Sequence, residues 1–259
     1  MLKEEDLFLG TIDRIQITLE RLKQFEPPEG YYLAFSGGKD SIVLKKLAEM
    51  ARVKFDIHYN VTTIDPPDLV YFIKRYHPDV IFDFPEKPLL SMIPVHGFPR
   101  MRSRWCCEDY KERGGDGRLV LTGIRWAESQ RRKKRQMVEA CFNKPTKRFI
   151  HPIIDWTDVE VWEFIKKERL PYCNLYNEGW KRIGCLMCCY AAQRQRIRES
   201  KRYPRYTRLF LKAFCELYRR RAEKGRPAIR RWKNGEEMFW WWLRTKDAAP
   251  NPDQMVMFE

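Results

Sequence analysis

A glycine-containing hexapeptide near the start of the chain has the residue types of an anion-binding loop. It follows a short apolar run and precedes a helix-forming run. Its two glycines permit a tight turn in which backbone amides face an anion, and the helix N-terminus favours negative charge. Its lysine can neutralise phosphate charge and its aspartate can hold Mg²⁺. The alternative is a plain turn, and a Walker A loop is excluded because its wider spacing between the glycines is absent. The predicted phosphate-binding residues are Ser36, Gly37, Gly38, Lys39, Asp40 and Ser41.

Five of the eight cysteines fall into two tight groups. Cys106 and Cys107 are adjacent, whereas Cys185 and Cys188 have two residues between them and Cys189 follows directly. This pattern favours metal or redox chemistry over a disulfide framework. Four thiolates can hold either an iron–sulfur cluster or a structural zinc ion, and the spacing alone leaves both open.

The positive charge of the chain is concentrated in one segment. The formal net charge is +15, of which residues 190–233 contribute +13, residues 1–189 contribute +5 and residues 234–259 contribute −3. Tyrosines and phenylalanines alternate with the cations of residues 190–233, as in surfaces that bind nucleic acids. The alternative is a solvated helical face. We therefore predict DNA or RNA as a partner of this segment.

The elements that position these groups alternate between apolar runs and helical patterns. We predict an α/β fold, a parallel twisted sheet with helices on both faces, followed by a basic helical C-terminal segment. The strands are expected at residues 31–35, 54–60, 80–84 and 118–123, and the helices at 4–25, 67–76 and 126–141. Thr157 opens a capping box, which predicts a helix from Asp158.

The same pattern suggests how the chain is organised. We expect an N-terminal helix within residues 1–29, a nucleotide-binding and cysteine domain at 30–189, and a basic helical extension at 190–259. No apolar run approaches the ~18 residues of a membrane span, and the first residues are acidic. The expectation is a soluble cytoplasmic protein with no membrane partner.

Several motifs occur in the order that is typical of one protein family. The chain resembles the phosphoadenosine phosphosulfate (PAPS) reductase family, iron–sulfur type, which belongs to the PP-loop adenine nucleotide α-hydrolase superfamily. The resemblance covers about residues 30–190. Its motifs are Ser36–Ser41, Arg104–Cys107, Thr122–Arg125 with Arg131 and Arg132, Pro152–Thr157, Leu170–Tyr176 and Arg182–Cys188.

The resemblance implies roles for individual residues. The cysteines Cys106, Cys107, Cys185 and Cys188 would hold a [4Fe-4S] cluster. The nucleotide, either ATP with Mg²⁺ or PAPS/adenylyl sulfate, would be bound by the loop together with Thr63, Asp65, Gly123, Arg125, Arg131 and Arg132. Lys39, Asp40 and Arg125 would be the catalytic residues.

Two departures from the family bear on the reaction. The reductases carry a nucleophilic cysteine in a C-terminal motif, and this sequence has no cysteine after Cys215. The loop is intact, which favours ATP over a substrate without β,γ-phosphates. We therefore predict an ATP-dependent sulfur-transfer enzyme that adenylylates an acceptor, releases pyrophosphate and works with a sulfur-donor protein. The alternatives are a PAPS or adenylyl sulfate reductase and a non-catalytic nucleotide-binding component of a complex.

Overall fold

The computed structural model describes residues 2–6, 10–141, 146–225 and 231–244. Residues 226–230 and 245–259 of the predicted extension lie outside the described residues. The described helices include none with the length and apolar character needed to cross a membrane.

The elements are given in chain order. They are β1 (Lys3–Asp6), β2 (Gly10–Asp13), α1 (Arg14–Gln24), β3 (Tyr31–Ala34), α2 (Lys39–Ala51), β4 (Phe55–Asn60), α3 (Pro67–Tyr76), β5 (Ile81–Asp83), α4 (Leu89–His96), α5 (Trp105–Tyr110), β6 (Leu119–Leu121), β7 (Val138–Ala140), β8 (Arg148–Ile150), α6 (Asp158–Lys167), α7 (Gln193–Arg202), α8 (Pro204–Glu223) and α9 (Gly235–Arg244).

The residues group into two compact units whose segments interleave along the chain. Unit 1 comprises Met1–Asn60, Pro67–Asp83 and Gly114–Ile183. Unit 2 comprises Val61–Pro66, Phe84–Arg113 and Gly184–Glu259. The predicted domain division at residue 189 stays a prediction.

Unit 1 contains a six-stranded sheet in the order β5-β4-β3-β6-β8-β7. Every neighbouring pair is parallel except β7 with β8. The central strand β3 is buried along Tyr31, Tyr32 and Leu33, as a strand covered on both faces requires. The predicted α/β fold with a mostly parallel sheet is confirmed, and α6 begins at Asp158 as the capping box predicted.

The helix predicted at residues 126–141 is wrong. The segment forms two short 3-10 turns, Trp126–Glu128 and Arg132–Lys134, followed by β7. Strand β7 pairs with β8, a strand that the sequence pattern did not reveal. The run of cations at 131–135 lacks an apolar stripe, so sheet pairing at the edge determines the conformation instead.

The first helix is shorter than the predicted 4–25. Residues 3–6 and 10–13 pair as an antiparallel hairpin, and α1 begins at Arg14. The Asp13 carboxylate caps this helix by accepting hydrogen bonds from the amides of Ile15 and Gln16, at 3.0 and 3.1 Å. The basic helical segment is likewise interrupted, because Pro204 begins a new helix directly after α7.

Unit 2 is helical. Its helix α8 packs its apolar face against α4 and α9, with the Phe214 and Phe239 ring centroids 5.4 Å apart. The aromatic cluster of α9 is largely buried, including Phe239 and Trp242. These aromatic side chains therefore pack within unit 2, on the apolar face of α8.

Candidate nucleotide and cysteine sites

The turn between β3 and α2 has the conformation that its glycines allow. Gly37 has φ +68°, and a Cβ there would lie 2.8 Å from side-chain atoms of Leu69 and Ile73. Gly38 is the N-cap of α2 and offers no side chain to cap the first turn. The turn thus requires glycine for both backbone conformation and space.

The first turn of α2 keeps amide donors available. The Lys39 amide donates to the Tyr176 hydroxyl at 3.0 Å. The Ser41 hydroxyl donates to the Gly38 carbonyl at 2.9 Å and lies 3.2 Å from the Ser36 hydroxyl. Amides at this end of a helix have no intrahelical acceptor, so the turn can bind an anion.

Four charged side chains form a closed network beside the loop. The Lys39 ammonium lies 3.1 Å from an Asp40 carboxylate oxygen and 3.0 Å from one of Asp158. The Arg125 guanidinium donates to the same two carboxylates, at 2.7 Å each. Burial acts to raise the pKa of Asp158, but hydrogen bonds from Arg125 and Lys39 lower it overall. Two cations therefore balance two carboxylates before any ligand arrives.

Arg125 is a buried member of the network, and its predicted role as a phosphate ligand and catalytic residue stays a prediction. Its side chain is 0 % exposed, and it also donates to the Trp156 carbonyl at 3.1 Å. With these acceptors the guanidinium orients Asp40 rather than facing open solvent. Gly123 completes the arrangement, because a Cβ there would lie 3.0 Å from the Asp40 backbone. The end of β6 therefore approaches the first turn of α2 closely.

The other predicted arginines lie on the turn that follows. Arg131 is exposed, and Arg132 pairs with Glu128, so the structure leaves both on the surface of the segment between β6 and β7.

Thr63 and Asp65 belong to unit 2, whereas the loop belongs to unit 1. The buried Asp65 carboxylate accepts hydrogen bonds from the amide and the hydroxyl of Thr62, both at 2.8 Å. Thr63 has φ +65° and its hydroxyl accepts from the Leu89 amide at 3.0 Å. Their contacts within unit 2 stabilise a turn, and their predicted role in nucleotide binding stays a prediction.

Asp158 and Tyr176 are loop-site residues that sequence reasoning missed. Asp158 was noticed only as the first residue of a helix, and Tyr176 only as part of a family motif. A signal existed for Asp158, because Trp156–Asp158 belongs to a segment that the family order places after the loop. Asp158 lies 119 residues after Lys39 in the sequence, and Tyr176 lies 137 residues after it. Contacts between residues so far apart, and their burial, cannot be predicted from residue spacing.

The cysteines Cys106, Cys107, Cys185 and Cys188 all lie in unit 2. The first pair stands in the first turn of α5. The second pair flanks Leu186 and Met187, of which the Leu186 amide donates to the Ile64 carbonyl at 2.8 Å and Met187 has φ +53°. The buried Glu199 of α7 accepts the Met187 amide, so α7 secures this loop.

The thiols influence one another electrostatically. A hydrogen bond from Cys106 lowers the pKa of Cys107 to about 7. Burial acts to raise this pKa, whereas the charges of Lys111 and Arg104 lower it further. The same hydrogen bond, together with burial and three neighbouring thiols, raises the pKa of Cys106. Burial raises the pKa of Cys185 to about 11. The site thus gathers sulfur ligands with cations beside them.

Cys189 is also part of this neighbourhood. Its hydrogen bond with Cys188 and its burial raise its pKa. Within the described ranges, no group of three or more Cys, His, Asp or Glu side chains is arranged to hold a metal ion. The donor chemistry still fits an iron–sulfur cluster, which takes four thiolates and carries negative charge that Lys111 and Arg104 can offset. The cluster remains a proposal.

Comparisons with known proteins agree on the family of this chain. Residues 30–191 match the model of the phosphoadenosine phosphosulfate reductase domain. An uncharacterized protein of Methanocaldococcus jannaschii is 29% identical over 208 residues, covering 69% of this chain and 39% of that protein. Adenosine 5'-phosphosulfate reductase of Allochromatium vinosum is 32% identical over 130 residues, covering 46% and 48%. A probable FAD synthase of Caenorhabditis elegans is 25% identical over 200 residues, covering 68% and 33%. The chain thus spans less than half the length of these relatives.

Proposed function

Because the chain belongs to the phosphoadenosine phosphosulfate reductase domain family, we propose that it is an ATP-using sulfur-transfer enzyme with a [4Fe-4S] cluster. The observation that supports ATP most strongly is the complete loop, with its charged network, at the start of α2. Amides of this helix turn and the Lys39 ammonium suit the β- and γ-phosphates. A loop that grips these phosphates gives the enzyme a pyrophosphate leaving group.

Binding of ATP would rearrange the network without breaking its charge balance. Lys39 would turn from Asp40 and Asp158 to the phosphates, leaving carboxylate oxygens for Mg²⁺. Arg125 would stay on both carboxylates, since its guanidinium is buried and donates to each of them. Arg125 would thus hold Asp40, the ligand of Mg²⁺, in place while the Lys39 ammonium moves to the phosphates.

The proposed reaction begins at the α-phosphorus of ATP. An acceptor oxygen forms a bond to this phosphorus, the bond to the bridging oxygen breaks, and pyrophosphate leaves with the electron pair while the acceptor proton goes to solvent. Lys39 would neutralise charge that develops on the leaving group, and Asp40 would hold the Mg²⁺ that accompanies ATP and supplies further positive charge. Hydrosulfide released by a donor protein would then form a bond to the acceptor atom that carries the adenylyl group, while the bond from this atom to oxygen breaks and AMP leaves with the electron pair.

The four cysteines of unit 2 would hold the cluster. When bound, the cluster would supply a site for handling sulfur during transfer. The pKa of Cys107 is lowered to about 7, chiefly because its neighbour Cys106 donates a hydrogen bond to it, so this thiol is partly ionised at neutral pH. The buried Cys189 is an alternative sulfur carrier. We take nucleic acid as the acceptor, since residues 190–233 supply most of the excess positive charge.

The adenylylation step is tested by pyrophosphate release from ATP-Mg²⁺ in the presence and absence of RNA or DNA. Release that depends on the acceptor is the expected result. The Asp40→Ala variant is expected to lose ATP-Mg²⁺ binding in calorimetry, whereas Asp79→Ala is the matched control. Asp79 also pairs with a lysine of α2, Lys45, at 2.8 Å. Equal binding by both variants would refute the proposal.

A second candidate function is reduction of adenylyl sulfate or PAPS to sulfite. The relative from Allochromatium vinosum, which is named as an adenosine 5'-phosphosulfate reductase, favours it. Sulfite release from either nucleotide with a thiol donor, and no pyrophosphate release from ATP, would select this reaction. Nucleotide binding without either product would instead identify a non-catalytic component.

A further inference from the structure

The N-terminal half of α8 presents a row of unpaired cations. Arg205, Arg208 and Lys212 are exposed and make no ion pair with any acidic side chain among the described residues. Their spacings of three and four residues place them on one face of the helix. We name these three residues the α8 stripe. At 1.5 Å per residue the stripe extends over about 10 Å.

The C-terminal half of the same helix face is neutralised. Glu216 accepts hydrogen bonds from Arg219 at 2.8 Å and from Arg220 at 2.7 Å. Glu223 pairs with Arg219 as well, at 2.5 Å. One helix therefore carries two kinds of basic surface: the cations of the stripe have no acidic partner among the described residues, whereas Arg219 and Arg220 are paired with glutamates.

The opposite face of α8 is not free to insert into a membrane. Its apolar side chains are buried against neighbouring helices, as shown by Phe210 and Trp242, whose ring centroids are 5.8 Å apart. Of the large apolar side chains on α8 only Leu209 is exposed, at 43%. A helix that inserts into a lipid surface needs an apolar face, and this one has none to offer.

One aromatic residue lies beside the stripe. Tyr206 follows Arg205 in the sequence and is half-buried, with its ring centroid 6.5 Å from that of Tyr203. Part of Tyr206 therefore stays exposed at the start of the stripe.

We propose that the α8 stripe binds the phosphate backbone of a polynucleotide. Guanidinium groups donate to phosphate oxygens in pairs, and a row of separated cations matches a chain of repeated charges better than one compact anion. Tyr206 gives a base a ring to stack on at the end of the row. The inference rests on the proposed function in taking nucleic acid as the acceptor, and it names the surface that receives it.

The test compares two triple variants with the same change in net charge. The first is Arg205→Gln with Arg208→Gln and Lys212→Gln. The matched control is Arg219→Gln with Arg220→Gln and Lys224→Gln, on the same helix. Fluorescence anisotropy with labelled single-stranded RNA, single-stranded DNA and duplex DNA measures the Kd without ATP. Circular dichroism checks that each variant is folded.

The stripe variant is expected to weaken binding at least about tenfold, and the control less than about threefold. The slope of log affinity against log salt should fall in magnitude by about 2 for the stripe variant with single strands, since about 0.7 ion is released per phosphate contact. A second variant, Arg205→Lys with Arg208→Lys, keeps the charge and is expected to bind within about threefold of the unaltered protein.

Three results would overturn the proposal. One is an equal loss in both triple variants, which would mean that only net charge matters. Another is binding of vesicles of phosphatidylserine and phosphatidylcholine, or of polyglutamate, in preference to every polynucleotide. The third is no polynucleotide binding by the unaltered protein. Binding without any pyrophosphate release would refute the proposed reaction alone, whereas pyrophosphate release with a different acceptor would refute the stripe alone.

Discussion

The loop site of unit 1 and the cysteine site of unit 2 balance charge in opposite ways. At the loop, Lys39 and Arg125 balance Asp40 and Asp158, and each carboxylate contacts both cations. The cysteine site instead contains several neighbouring thiols. The pKa of Cys106 is raised and that of Cys107 is lowered, because these two thiols share a hydrogen bond. The first site is complete without a ligand, whereas the second needs a positive partner before all its thiols can ionise together.

The largest expected effect concerns the cysteine site. The double variant Cys185→Ser with Cys188→Ser should lose the bound iron, since two of four ligands are removed. Iron analysis and visible absorbance after anaerobic purification measure this. The control is Cys215→Ser, an exposed cysteine of α8, which should keep full iron content. A colourless unaltered protein that contains one zinc ion per chain would contradict the iron–sulfur cluster. It would also reduce the contrast between the loop site and the cysteine site.

The next effect should be seen at the loop site. Arg125→Met leaves Asp40 and the Trp156 carbonyl without their buried donor, so the free energy of unfolding should fall by about 3 kcal/mol. Chemical denaturation measures this change. Arg132→Met, in an outer ion pair, should change the stability by less than about 1 kcal/mol. Equal small effects would show that the network is not a structural unit.

Acid should weaken unit 1 through a buried histidine. Burial, with a contribution from Lys45, lowers the pKa of His77 from 6.5 to about 4. Between these values the unfolded chain binds a proton that the folded chain does not. Protonation of His77 should therefore lower the stability by about 3 kcal/mol as the pH decreases from about 6.5 to 4, and this contribution should level off below that range.

The variant His77→Gln isolates this contribution. The glutamine side chain stays neutral. In that pH range the variant should therefore take up about one proton fewer on unfolding than the unaltered protein, so its free energy of unfolding should depend less on pH. Denaturation curves across the pH range measure the difference. Parallel pH profiles for the variant and the unaltered protein would exclude His77 as the cause. Comparing the variant with the unaltered protein also tests whether unit 1 is the acid-sensitive part of the chain.

The smallest effect concerns the capping box that precedes Asp158. The Thr157 hydroxyl accepts the Glu160 amide at 3.2 Å, and the Glu160 carboxylate accepts the Thr157 amide at 2.6 Å. Thr157→Ala should lower the free energy of unfolding by about 1 kcal/mol. Thr157→Ser keeps the acceptor and should restore most of the loss. A larger fall than for Arg125→Met would mean that the helix start, rather than the network, positions Asp158.

Local signals predicted the parts of the fold that depend on neighbouring residues. The strand–turn–helix around Gly37 and the start of α6 depend on glycine conformation and capping, which are visible in short windows. The strands β3 to β6 are apolar enough to be recognised individually. Strand β7, at the edge of the sheet, and strand β8, between β6 and β7, escaped because each has three residues that include a charged one and no longer apolar run. Their conformation depends on pairing with each other.

The candidate sites show the same limit. The loop residues and the clustering of cysteines were visible as motifs, and the structure places the four predicted cysteines in one unit. The role of Arg125 was not visible, because an arginine that binds phosphate and one buried beneath carboxylates look alike in a sequence. Its burial comes from Trp156 and Asp158, more than 30 residues further along the chain.

The interleaving of the two units has a consequence for synthesis. Cys107 leaves the ribosome long before α9, the last described helix of the same unit. At about 5–20 residues per second, this interval is on the order of ten seconds. The second pair, Cys185 and Cys188, emerges within the interval, and until then the first pair has no second pair to join. The nascent chain therefore carries both cysteine pairs before the α8–α9 packing of their unit can form.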